Sequence, residues 1–166
     1  DERVVVHDRT NVRDLSLAIV GDPVDLVVGD LSFISLELVL PALLSVMAED
    51  GCLALMVKPQ FEVGKDRVGK GGVVRDLRMR SEAVSAVASC AEGLGWGAQA
   101  VTVSPLPGPA GNVEFFLLLR RGEAAIDADD IAAEVESNAM LGAGAKEYGS
   151  SQDGSSQDEA SERVEP

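Results

Sequence analysis

The chain has few aromatic residues, two cysteines, one histidine and no long apolar run, and each shortage removes a class of protein. Cys52 and Cys90 lie apart, each inside an apolar stretch, so neither a zinc site nor a disulfide framework is indicated, and a reducing cytoplasm is the expected compartment. No stretch approaches the roughly 18 apolar residues of a spanning helix, and no charged start leads into an apolar segment. Neither a membrane partner nor export is expected. The lone His7 has no sequence neighbour to act with, so packing or surface exposure is its ordinary reading. The first residue is Asp1 rather than Met, which points to a natural start further upstream, with processing as the alternative.

Positive charge is also scarce, with a net charge of −14, but the deficit is uneven. Residues 121–166 hold 12 acidic and 3 basic side chains, while residues 1–120 hold 16 and 11. Across 58–80 the sign reverses: Lys58, Lys65, Arg67, Lys70, Arg75, Arg78 and Arg80 face only Glu62, Asp66 and Asp76. That stretch is the one place suited to a phosphate backbone.

With 46% hydrophobic residues and 4% aromatics, the composition suits an aliphatic α/β core. Short β-branched apolar runs predict strands at 3–7, 25–29, 52–57, 99–104 and 113–119. Helical spacing appears over 36–48 and over 76–95, the latter opening on Asp76 as N-cap, and a shorter helix is expected within 13–20. Alternating strands and helices imply a mostly parallel sheet. The last two strands are joined by SPLPGPAGN, which leaves no room for a helix, so they are expected to pair antiparallel at one end. The segment 127–140 predicts an acidic helix capped by Asp127 within 122–141, and 142–166 has almost nothing to bury and is expected to be disordered.

Open α/β sheets present their sites at the carboxyl edge of the strands. Asp30 closes the second run, Lys58 closes the third within VKPQFE, and Glu114 enters the last within GNVEFF. A lysine between carboxylates suits removal of a hydroxyl proton, provided a further cation offsets the carboxylates that hold its ammonium. Gly64–Lys70 formally matches the phosphate-loop pattern, but Gly71 stands where Ser or Thr should bind magnesium, and no helix follows. A basic Gly-rich loop is the better reading, with Lys65, Arg67, Lys70 and Arg75 as phosphate contacts. Trp96 is expected to cover a helix-to-strand turn.

The strings RTNVRDL, VVGDLSFISLELVLPAL, LMVKPQFEVGKDRVGKGGVVRD and SPLPGPAGNVEFFLLL, within residues 3–120, closely resemble the haemolysin A (TlyA-type) family. Its members are bacterial ribosomal-RNA 2′-O-methyltransferases of the FtsJ-like superfamily. The resemblance implies a partial class I, Rossmann-like methyltransferase sheet over 1–121, the downstream part of strand order 3-2-1-4-5-7-6. It implies S-adenosylmethionine as cofactor and ribosomal RNA or ribosomal subunits as partners, with no metal. By motif, Asp30, Lys58 and Glu114 correspond to three members of a Lys–Asp–Lys–Glu tetrad, with Lys58 as base. Asn11 and Val12 would lie beside adenine, and Asp30 and Leu31 near the methionine end. The tetrad's first Lys, the family's S4-like domain and its STGGFTD-type loop have no counterpart in the sequence. The resemblance therefore implies a truncated, impaired form, with RVVVH left without its sheet neighbours. The alternative reading is a non-catalytic RNA-binding or ribosome-assembly module.

Overall fold

The computed structural model describes residues 1–108 and 110–142. The expectation of a disordered tail falls almost wholly on 143–166, outside the described residues. The chain forms α1 (Leu17–Val20), β1 (Val24–Gly29), α2 (Leu40–Leu44), β2 (Met47–Val57), α3 (Pro59–Glu62), α4 (Leu77–Gly93), β3 (Trp96–Val103), β4 (Phe115–Arg121) and α5 (Ala128–Ser137). Short 3-10 turns occupy Val12–Asp14, Leu36–Leu38, Lys65–Arg67 and Ala139–Gly142.

The four strands lie in the order β1-β2-β4-β3. β1 runs parallel to β2, whereas β4 is antiparallel to both β2 and β3. The terminal antiparallel pair is therefore as the short Pro/Gly connection dictates. The sheet is mixed rather than mostly parallel, because RVVVH does not join it. Residues 4–7 adopt no regular structure, and Val4, Val5 and Val6 are 63%, 76% and 70% exposed. A β-branched run supplies propensity, but a strand needs a partner edge. β1 is correspondingly an edge strand with Leu26 and Val28 exposed, the kind of open apolar edge that invites association.

Period-two burial organises the core. In β2, Leu53, Leu55 and Val57 are fully buried, and in β4 so are Phe115, Leu117 and Leu119. Val84, Val87 and Ala91 recur at helical spacing on α4 and join the same cluster, as do Leu36, Leu40 and Leu43. Asp76 caps α4, its side chain accepting from the Met79 amide. Trp96 is buried at the start of β3, with the Arg121 guanidinium 5.0 Å from its ring centre.

Several boundaries differ from the sequence pattern, and the strands expected at 52–57 and 99–104 begin earlier, at Met47 and Trp96. The 36–48 helix shrinks to a 3-10 turn and α2, with Pro41 in the opening turn, because β2 begins at Met47. The 13–20 helix splits into a 3-10 turn and α1 around Ser16. The last strand starts at Phe115, so Glu114 sits just before it. The acidic helix is real and better anchored than its charge suggests. Asp127 and Asp130 form a reciprocal capping box, and Ile131 and Val135 are buried in the core cluster.

Candidate active site

Strand direction brings the site together. Gly29 pairs with Leu55 on parallel strands, so Asp30 and Lys58 leave β1 and β2 at the same edge. Val57 pairs with Phe115 on antiparallel strands, so the residue entering β4, Glu114, arrives at that edge too. Three polar residues far apart in sequence thus converge because one strand of the three is reversed.

Lys58 Nζ forms an ion pair with Asp30 Oδ1 at 2.5 Å and donates to Ser32 Oγ at 3.2 Å. Lys58 is 9% exposed while the Asp30 side chain remains 67% exposed, so the ammonium lies inside and its counter-ion faces outward. A ligand can reach the carboxylate without unburying the lysine. Glu114 is 7% exposed and accepts from Gln60 Nε2 at 3.1 Å. No direct Lys58–Glu114 contact forms, and the link between them is Gln60, two residues beyond Lys58 on α3. Gly108 lies against the Glu114 carboxylate, where a Cβ would sit 2.9 Å from Oε1. The Pro/Gly loop therefore serves to make room for a buried acid.

Sequence reasoning stopped at Lys58 and missed the rest of its motif. Pro59 starts a single helical turn, and Gln60 and Glu62 leave it in different directions. Gln60 reaches Glu114, while Glu62 accepts from Ser35 Oγ at 2.7 Å and from the Leu36 amide at 3.0 Å. The turn after β2 thereby braces the loops on both sides. Gln60 Oε1 is the one enclosed side-chain polar atom without a partner among the described residues. Phe33 was missed as well. It is 91% exposed at φ +64°, a left-handed conformation that strains a bulky residue, and its ring lies 5.1 Å from that of Phe61. No local signal marks such a residue.

Burial pushes the Glu62 carboxyl above its ordinary 4.5, against the lowering effect of the Leu36 and Ser35 hydrogen bonds. The folded state then holds the proton more tightly than the unfolded state, so stability falls as pH rises from about 4.5 through the raised value. Glu62→Gln is expected to flatten that fall, as read from urea midpoints between about pH 4 and pH 7. Parallel pH profiles in the two proteins would contradict the assignment.

The expected cofactor contacts are only partly gathered. The 3-10 turn carrying Val12 packs against α2, and Asn11 uses its side chain to cap that turn through the Arg13 amide. Leu31 is half-buried against the core beside the exposed Asp30. Among the basic residues, Lys65, Lys70 and Arg75 are exposed, whereas Arg67 is engaged by Glu82 at 2.6 Å. Glu82 also takes Arg78 at 3.0 Å, so part of the loop's charge is neutralised by α4.

Comparison with known proteins places these features in context. The FtsJ-like methyltransferase family matches residues 1–121. The 16S/23S rRNA (cytidine-2′-O)-methyltransferase TlyA of Mycobacterium tuberculosis is 58% identical over 120 residues, covering 72% of this chain and 45% of that protein. A Bacillus subtilis protein, YqxC, named as a candidate rRNA methyltransferase, is 38% identical over 126 residues, covering 72% and 43%. The crystal structure of a candidate hemolysin from Lactococcus lactis superimposes with a TM-score of 0.76 at 35% identity, over 83% of this chain and 67% of that one. The chain spans less than half the length of these two curated relatives.

Proposed function

The chain belongs to the FtsJ-like methyltransferase family, and from that premise we propose that residues 1–121 form the catalytic edge of an S-adenosylmethionine-dependent enzyme methylating ribose 2′-hydroxyls of ribosomal RNA. The observation that carries the reading is the buried Lys58 held between Asp30 and Ser32 at the sheet edge, with Glu114 joined to the same turn through Gln60. Such an arrangement suits removal of one proton from a weakly acidic hydroxyl. The TlyA relative is named for cytidine-2′-O transfer to 16S and 23S rRNA, which supports the same chemistry here. Ribosomal RNA as substrate also makes the cytoplasm the proposed site of action.

The residues present fit part of the cofactor. Asp30 offers an exposed carboxylate to a cationic ligand, and the half-buried Val12 and Leu31 offer apolar contact for its adenine and methionine portions. S-adenosylmethionine, when bound, supplies an electrophilic methyl group. The chain's own work is to take the hydroxyl proton on Lys58 Nζ, which requires a further cation to offset Asp30 and leave that nitrogen uncharged, to hold the nitrogen in place through Asp30 and Ser32, and to seat the ribose against Glu114. Burial of Lys58 and Glu114 keeps bulk water from competing for either group.

RNA is held by two features. Lys65, Lys70 and Arg75 supply phosphate contacts, and the exposed ring of Phe33, carried on strained backbone, offers a stacking face for a base beside the reacting ribose. Phe33→Ala is expected to weaken binding of a single-stranded RNA by roughly tenfold or more, in line with about 1–3 kcal/mol per stacked base. Unchanged affinity in a filter-binding titration would remove Phe33 from the interface.

We further propose that this chain alone holds the cofactor weakly, because the sequence offers no glycine-rich cradle after a first strand. Calorimetry tests this. S-adenosylmethionine should bind feebly to the 166-residue chain but measurably when residues 1–121 replace the matched segment of the M. tuberculosis relative. Tight binding by the chain alone would refute the impairment, and RNA binding without any transfer by the hybrid would favour a non-catalytic module.

A further inference from the structure

Among the charged side chains of the described residues, Arg80 is the most buried, at 4% exposure. A buried cation ordinarily has a counter-ion, since an uncompensated buried charge is costly. Lys58, the other buried cation, has Asp30. Arg80 has no carboxylate within ion-pairing distance among the described residues. Its Nε donates to the Val74 carbonyl at 2.9 Å, and its Nη nitrogens make no hydrogen bond to the described residues. They are not among the fully enclosed, unpartnered atoms either, so they remain in reach of solvent. The Val74 carbonyl that Arg80 binds immediately precedes Arg75 in the chain, and burial, followed by the positive charge of Arg75, lowers the affinity of the Arg80 guanidinium for its proton.

The setting is rigid. The buried Asn112 side chain accepts from the Val74 amide at 3.0 Å and donates to the Gly72 carbonyl at 2.8 Å. The segment carrying Val74 is thereby pinned from two sides, by Arg80 and by Asn112, and Asn112 lies two residues before Glu114. A buried guanidinium bonded to the carbonyl that precedes a second arginine, neither of them ion-paired among the described residues, on backbone tied through Asn112 to the loop that carries Glu114, suits an anion. A forked guanidinium matches the oxygens of a phosphodiester.

We propose that Arg80 and Arg75 form a phosphate-binding site that takes a backbone phosphate of RNA. The choice of RNA rests on the function proposed above, whereas the phosphate chemistry does not. Arg80 is the positional element, and the exposed Arg75 completes the site from outside.

The test uses the whole chain without cofactor. Arginine Nε–H signals are followed by NMR during titration with inorganic phosphate at constant ionic strength. The Arg80 signal should move saturably, and Arg75→Gln, which leaves the Val74 bond intact, should raise the phosphate Kd by about fivefold. Arg80→Lys keeps the charge but loses the fork and should weaken phosphate binding in a folded protein. If Arg80→Lys unfolds, Arg75→Gln still decides the matter. A short single-stranded RNA without terminal phosphates should displace the inorganic phosphate. An Arg80 signal that ignores phosphate, or an unchanged Kd in Arg75→Gln, overturns the site. Phosphate binding that RNA fails to displace overturns the RNA assignment. None of these readouts depends on methyl transfer, so failure of the catalytic reading leaves them interpretable.

Discussion

In the hybrid that carries residues 1–121 within the M. tuberculosis relative, Lys58→Met should lower methyl transfer by about 10²–10⁴-fold while leaving the protein folded. Methionine has a comparable length and fills the apolar part of the lysine's volume, but it has no nitrogen to accept the hydroxyl proton. The partner left behind, Asp30, is 67% exposed and can be solvated, so the stability cost of breaking the pair is small. The loss should therefore fall on kcat, with KM for RNA nearly unchanged. A variant that retained a tenth or more of the wild-type kcat would show that the proton leaves by another route.

Gly97→Ala should destabilise the fold by about 3 kcal/mol, near the upper end for overpacking because the obstacle is backbone. A Cβ at Gly97 would stand 2.3 Å from the Ala124 nitrogen and 2.3 Å from the Glu123 carbonyl carbon. That passing segment is bound closely to β3: Gln99 Nε2 donates to the Glu123 carbonyl at 2.9 Å, and the Ala125 amide donates to the Ala98 carbonyl at 2.8 Å. It leads into α5, whose Ile131 and Val135 belong to the core. Moving it would unseat the helix along with the turn. A shift in urea midpoint worth less than about 1 kcal/mol would mean that the segment yields easily and that α5 contributes little.

Some of this was legible in the chain, and the failures have physical causes. The place of Asp30, Lys58 and Glu114 at one sheet edge was legible because each stands at the end of an apolar run, where a polar residue reports a strand leaving the core. Asp76 and Asp127 were found as caps for the same local reason. RVVVH reads as a strand by propensity, which cannot report whether a partner edge exists, whereas the family resemblance, by leaving it without sheet neighbours, anticipated that it stays out of the sheet. The helix over 36–48 was overextended because LELVLPALLSVMA is apolar on every side, and periodicity cannot mark where a buried helix yields to a buried strand. Gln60, Glu62 and Arg80 depend on contacts 6 to 54 residues away in the chain. Their residue types carried no signal beyond being polar near Lys58 or within a basic stretch. Phe33 was invisible because LSFIS reads as an apolar, Ser-containing turn, and nothing in it marks which apolar side chain the backbone turns outward.

The position of the transferred methyl group tests the central claim most directly. Residues 1–121 would replace the matched segment of the M. tuberculosis relative, and the hybrid would be incubated with ribosomal RNA and S-adenosylmethionine labelled in its methyl group. The RNA would then be hydrolysed in alkali. A methylated 2′-oxygen cannot attack the neighbouring phosphodiester, so the account predicts label in alkali-resistant dinucleotides, and its loss on Lys58→Met. Label recovered in mononucleotides as a methylated base, or dinucleotide label that survives the Lys58 substitution, would contradict it.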